Sequence, residues 1–149
     1  ITASTKNKVI RHLGLYSDFV VQQTTGNNPI RVPLFYTRQR LAFEGTFFKN
    51  LNLSTGIEVK YNTPYKANNY SPVMGQFFPQ DTTLITNLPE LNVFFDFRIK
   101  SFTGILKIEN LNTVNVSQGL GFTNNNFAAP NYPTPGFFFR FGVIWSFVN

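Results

Sequence analysis

Phe137-Phe138-Phe139-Arg140-Phe141-Gly142-Val143-Ile144-Trp145-Ser146-Phe147 is the stretch that decides how this chain is read. In an extended backbone, successive side chains point to opposite faces. Phe137, Phe139, Phe141, Val143, Trp145 and Phe147 then share one face, while Phe138, Arg140, Gly142, Ile144, Ser146 and Val148 share the other. Large rings on one side, opposed by a face that admits Arg and Gly, suit a strand standing between two different solvents.

The same period-two alternation recurs outward from this segment. Residues 91–100 set Leu91, Val93, Phe95, Phe97 and Ile99 against Asn92, Phe94, Asp96, Arg98 and Lys100. Residues 51–61 set Leu51, Leu53, Ile57, Val59 and Tyr61 against Asn52, Ser54, Glu58 and Lys60. Weaker copies occupy 34–48, with Arg38, Arg40 and Glu44 on the polar face, and 102–110, with Lys107 and Glu109 there. A sixth, 9–23, puts Leu13, Leu15, Phe19 and Val21 opposite His12, Gly14, Tyr16 and Asp18, with Ser17 interrupting the apolar side. Six strands are expected, with 137–148 the last, and several reach the ~9–11 residues a tilted strand needs to cross a bilayer.

Connections alternate in length. Lys49-Asn50 alone joins 34–48 to 51–61, and Ser101 joins 91–100 to 102–110. The links at 24–32, 62–90 and 111–135 are long and polar, with Thr-Thr-Gly-Asn-Asn-Pro in the first and Asn124-Asn125-Asn126 in the last. Short turns on one side and long loops on the other describe an outer-membrane barrel, turns periplasmic and loops extracellular. The fold expected is therefore all-β, an antiparallel up-and-down transmembrane β-barrel. A soluble β-sandwich is the rival, with its apolar faces packed on each other. It is disfavoured by the Phe-rich apolar faces and by mixed charges opposite them on nearly every strand.

Composition agrees. Aromatic residues make up 17% of the chain and 18 are Phe, yet mean hydropathy is -0.10. The absence of Cys excludes a disulfide scaffold and thiolate metal sites. No run approaches the ~18–20 apolar residues of a membrane-spanning helix, which does not exclude crossing by strands. The net charge is +6, but the cations are scattered singly, with no cluster beyond Arg38-Gln39-Arg40 and Lys6-Asn7-Lys8, and lack the clustered basic footprint of a nucleic-acid binder. No nucleic-acid partner, metal or cofactor is expected.

Nor is an enzyme. His12 is the only His, and Ser17 would face away from both His12 and Asp18. Gly119 and Gly121 lie in a polar loop with no following helix, so they do not form a phosphate-binding loop.

The later segments carry a family resemblance. Tyr61-Asn62-Thr63-Pro64-Tyr65, Gln76-Phe77-Phe78, Asn92-Val93-Phe94-Phe95-Asp96 and Lys107-Ile108-Glu109-Asn110 follow one another in that order. After them come Asn131-Tyr132-Pro133-Thr134-Pro135-Gly136 and Arg140-Phe141-Gly142-Val143-Ile144-Trp145-Ser146-Phe147. This succession resembles the C-terminal region of the putative porin family of Bacteroidota over about residues 34–149, with 1–33 matching loosely. Members of that family are longer, which implies that these strands are the C-terminal part of one larger barrel domain. Strand arithmetic agrees, because six strands leave two open edges and single-chain barrels begin at ~8.

The resemblance implies an outer-membrane location and a porin-like channel for passive diffusion of small hydrophilic solutes. The expected pore lining is Arg38, Arg40, Lys60, Arg98, Lys100, Lys107 and Arg140 with Glu44, Glu58, Asp96 and Glu109, a surplus of cations that favours anionic or neutral solutes. The alternative for these residues is a ladder of cross-strand ion pairs without selectivity. Phe137, Phe139, Phe141, Val143, Trp145 and Phe147 are the expected lipid-facing set, and the rings among them also look like the signal read by barrel-assembly machinery. The alternative function is a non-conducting barrel that serves as scaffold or accessory subunit, meeting outer-membrane protein partners through loops 62–90 and 111–135.

Overall fold

The computed structural model describes residues 1–26, 30–115, 121–122 and 126–147. Seven strands form one sheet in sequence order, every neighbouring pair antiparallel. They are β1 Thr2–Ile10, β2 Leu13–Val21, β3 Phe35–Phe47, β4 Leu51–Asn62, β5 Glu90–Ile99, β6 Phe102–Glu109 and β7 Phe138–Trp145. The chain is all-β and antiparallel, as expected. Among the described residues the sheet is open: β1 and β7 each pair on one side only, and no closed barrel is formed.

The expected segment 9–23 is corrected to parts of two strands. A turn at Arg11-His12 ends β1 and begins β2. Strand β1, Thr-Ala-Ser-Thr-Lys-Asn-Lys-Val-Ile, has no apolar face from which alternation could be read, and it owes its extended form to pairing with β2. The register slips once, between Lys8 and Ile10, and runs unbroken through the other five pairings.

Turn chemistry explains the short connections. Phe48 (φ 48°) and Lys49 (φ 66°) adopt left-handed backbone between β3 and β4, and Lys100 (φ 53°) does so between β5 and β6. Lys100 therefore stands in a turn, its carbonyl accepting a hydrogen bond from Arg98 Nε at 3.2 Å. The strand 91–100 ends one residue earlier than expected. The turns at 11–12, 48–50 and 100–101 lie at one end of the sheet, and the long loops at the other. Strand β7 runs towards the turn end, pairing Trp145 with Phe102.

The long loops carry structure of their own. Within 63–89, Asn69–Ser71 pairs with Gln76–Phe78, and Tyr65 bridges Ile85. Ala67 and Ile85 are buried within this loop, and burial pushes the Tyr65 phenol above its ordinary pKa. Phe127–Ala129 pairs with Tyr132–Pro133 in the last loop. The two loops are stitched together by Asn126 bonded to both the N–H and the carbonyl of Leu88, and by Asn87 bonded in the same way to Phe127. The Tyr70 ring lies tilted against Phe77 at 5.1 Å and meets the Tyr132 ring edge-on at 5.6 Å. Asn124, Asn125, Gly119 and Val148 lie outside the described residues.

Candidate functional site

The register assigns every strand residue to a face. Across β3, β4 and β5, Arg40, Glu58 and Asn92 stand in one row, and Glu44, Ser54 and Asp96 in another. Lys107 joins this face through Phe94, and Arg140 through Lys107. Thus Arg38, Arg40, Glu44, Glu58, Lys60, Asp96, Arg98, Lys107, Glu109 and Arg140 are brought to a single face, and Lys100 alone of the expected lining is excluded, by its turn.

That face is the more enclosed one. Glu58, Asn92, Phe94 and Ala42 are buried on it, Glu58 at 3% exposure and Asn92 at 1%. On the opposite face Phe43, Ile57, Phe95 and Leu106 are exposed by about two fifths, and Phe141 by 75%. A soluble domain encloses its apolar face and wets its polar one. Here the order is reversed.

Glu58 is the centre of an ion-pair chain that crosses five strands. Its Oε2 accepts from Arg38 Nε at 2.7 Å, and Lys60 and Lys107 approach Oε1 at 3.6 and 3.7 Å. Lys107 Nζ also meets Glu109 at 2.9 Å, and Glu109 accepts from Arg140 Nε at 2.7 Å. Asn92 donates its side-chain amide to Glu58 and accepts the Asn110 N–H at 3.0 Å, which ties the chain to the start of the last loop. Each of the four cations Arg38, Lys60, Lys107 and Arg140 thus has a carboxylate partner, and both carboxylates are shared between cations.

The turn-end half is arranged differently. Tyr16 Oη donates to Glu44 at 2.5 Å, and Ser54 Oγ donates to the other carboxylate oxygen at 3.3 Å. Arg40 lies over the Phe94 ring at 4.0 Å and donates to Ser54 at 3.2 Å. Lys6 and Lys8 of β1 share this face, opposite Tyr16 and Gly14. They were missed from sequence because β1 was missed; the alternation of Lys6 and Lys8 was the available signal, without an apolar partner row to support it.

The opposite face carries aromatic belts near both ends. At the turn end, Phe95, Phe97, Phe102, Trp145 and Phe147 form a chain of rings with centroids 5.4–6.1 Å apart. His12, Phe43 and Phe47 form a second cluster there, each ring 5.8 Å from the others. At the loop end Phe19 stacks on Phe35 at 6.2 Å. Phe139, Phe141, Val143 and Trp145 stand on this face within β7; Phe137 precedes the strand and Phe147 follows it. Ser17, the interruption in the apolar row, is satisfied by Gln39, whose amide donates to Thr37 at 2.8 Å.

Ser17 and Asp18 stand on opposite faces, and His12 Nδ1 lies 3.1 Å from the Glu44 carbonyl oxygen. Among the described residues no group of His, Asp and Glu is placed to hold a metal ion. What the face presents is a charged, hydrogen-bonded surface shielded from the apolar side by the sheet itself.

Comparison with known proteins agrees with this geometry. A family model described as putative porin matches residues 1–149, including the first 33 residues that the sequence motifs matched only loosely. No curated protein and no solved structure matches the chain.

Proposed function

This chain belongs to the putative porin family, and from that premise we propose that it forms part of the wall of an outer-membrane β-barrel that passes small hydrophilic solutes by diffusion. One observation carries the reading: Glu58 and Asn92 are enclosed on the charged face, while Phe43, Ile57, Phe95, Leu106 and Phe141 stand exposed on the face of rings. Lipid is the solvent that makes such a sheet stable, because exposed Phe and Leu then cost nothing and the polar face can border water. The aromatic belts fall where barrels place their interfacial girdles. Open edges at β1 and β7 would be intolerable in lipid, so on this reading further strands close the wall. Trp145 and Phe147, at the turn end of the last strand, serve both the girdle and recognition by assembly machinery.

The test is planar-bilayer conductance of the full-length chain over a range of salt concentrations. Stable steps proportional to salt are expected. Silence from protein shown to be folded and inserted would sink the channel. A second reading, the non-conducting scaffold, draws on the tip of the 69–78 hairpin, where Val73 is 96% and Met74 61% exposed. Silence combined with stable co-purification of other outer-membrane proteins would favour it.

A further inference from the structure

The cations around Glu58 are each paired with a carboxylate, which leaves those of the turn end as the chemically available ones. A cavity of about 490 Å³ opens there between β1, β2, β3 and β4, lined by Lys6, Lys8, Arg11, Tyr16, Glu44 and Ser54 among others. Its single acid is already engaged: both Glu44 oxygens accept from neutral hydroxyls, Tyr16 at 2.5 Å and Ser54 at 3.3 Å. Among the described residues no carboxylate lies within 4 Å of the charged groups of Lys6, Lys8 or Arg11. Lys6 instead rests over the Tyr16 ring, 4.8 Å from its centre.

Three cations against the single carboxylate of Glu44, which keeps its charge beneath its two hydroxyl donors, leave the cleft with a surplus of positive charge. We propose that this cavity binds small soluble oxyanions, solutes bearing phosphate or carboxylate groups, at the turn end of the polar face. The proposal deepens the channel reading by giving it a solute class. It shifts selectivity away from Arg38, Lys107 and Arg140, which are occupied by Glu58 and Glu109. Charge-assisted hydrogen bonds from Lys and Arg to such oxygens are among the stronger polar contacts, and a lysine pair two residues apart on one strand face can grip two oxygens of one group.

Binding does not require an open pore, so it can be measured separately from conduction. The full-length chain, folded in detergent micelles, is titrated calorimetrically with inorganic pyrophosphate. The variant Lys6→Gln/Lys8→Gln is compared with Lys49→Gln, which removes a cation from a turn outside the cavity. Saturable binding is expected in the native chain and in Lys49→Gln, with a loss of roughly tenfold or more in the double variant. Lys6→Arg/Lys8→Arg should retain it, which separates lost charge from lost folding. Equal binding in all variants, or none in the native chain, overturns the proposal. Displacement of pyrophosphate by anionic lipid in mixed micelles would assign the cleft to headgroups and overturn it as a solute site. Conductance fails independently: a silent barrel that still binds pyrophosphate through Lys6 and Lys8 contradicts the channel and leaves this site standing.

Discussion

Glu58 is nearly enclosed, yet three cations reach it from three different strands. Removing one member of a buried ion pair strands the others, at a cost of about 3–5 kcal/mol in fully buried settings. Arg38 is 41% exposed at its side chain, so solvent recovers part of that loss. Glu58→Gln is expected to destabilise the folded barrel by roughly 2–3 kcal/mol in urea unfolding from micelles. Arg140→Gln, whose side chain is 64% exposed, should cost under about 1 kcal/mol. Equal effects would refute the picture of Glu58 as the centre of the chain. Gly104 makes a second residue-scale case. Phe97, its cross-strand partner, lays its ring over the glycine, where any Cβ would overlap the ring. Gly104→Ala must displace Phe97 from the row of rings, and a loss of about 1–3 kcal/mol is expected in the same unfolding experiment. The identity of both residues was visible in sequence. That Glu58 gathers Lys107 from two strands away was not, because the contact depends on how far the sheet brings β4 and β6 together.

At the scale of elements, the strands differ in how openly the sequence declares them. Strands β4, β5 and β7 alternate Leu, Val, Phe and Trp against charges, and their faces follow from counting. Strand β1 has Ala3, Thr5 and Asn7 on its outward row, so nothing in its own residues marks a lipid-facing side. Its pairing with β2 is a property of the hairpin at Arg11-His12, and no local pattern announces that turn. The cationic cleft was illegible for the same reason, since two of its cations lie on β1. Alternation can be tested on β7 by moving one charge along the strand. Val143→Arg puts a cation on the face of rings and should cost about 2–4 kcal/mol of barrel stability if lipid lies there. Ile144→Arg, one residue on, points the same charge to the polar face and should cost far less. Similar losses for both variants would mean that β7 does not divide lipid from water.

For the whole molecule, one inversion is decisive: the charged face encloses Glu58 and Asn92, while Phe43, Ile57, Phe95 and Leu106 are exposed on the face of rings. A sandwich would need a second layer over Phe43, Ile57, Phe95 and Leu106, and among the described residues none covers them. The seven-stranded meander, with short turns at one end and packed loops at the other, is the form expected of a barrel wall. The chain has no Cys, so single cysteines can be introduced one at a time from position 138 to 145 and spin-labelled in reconstituted membranes. The most direct test of the central claim is the accessibility of each label to lipid-soluble oxygen and to a water-soluble nickel chelate. Oxygen maxima are predicted at 139, 141, 143 and 145, with chelate maxima at 140, 142 and 144 in opposite phase. Reversed phase, or access without a period of two, would contradict the assignment of the ringed face to lipid and the charged face to water.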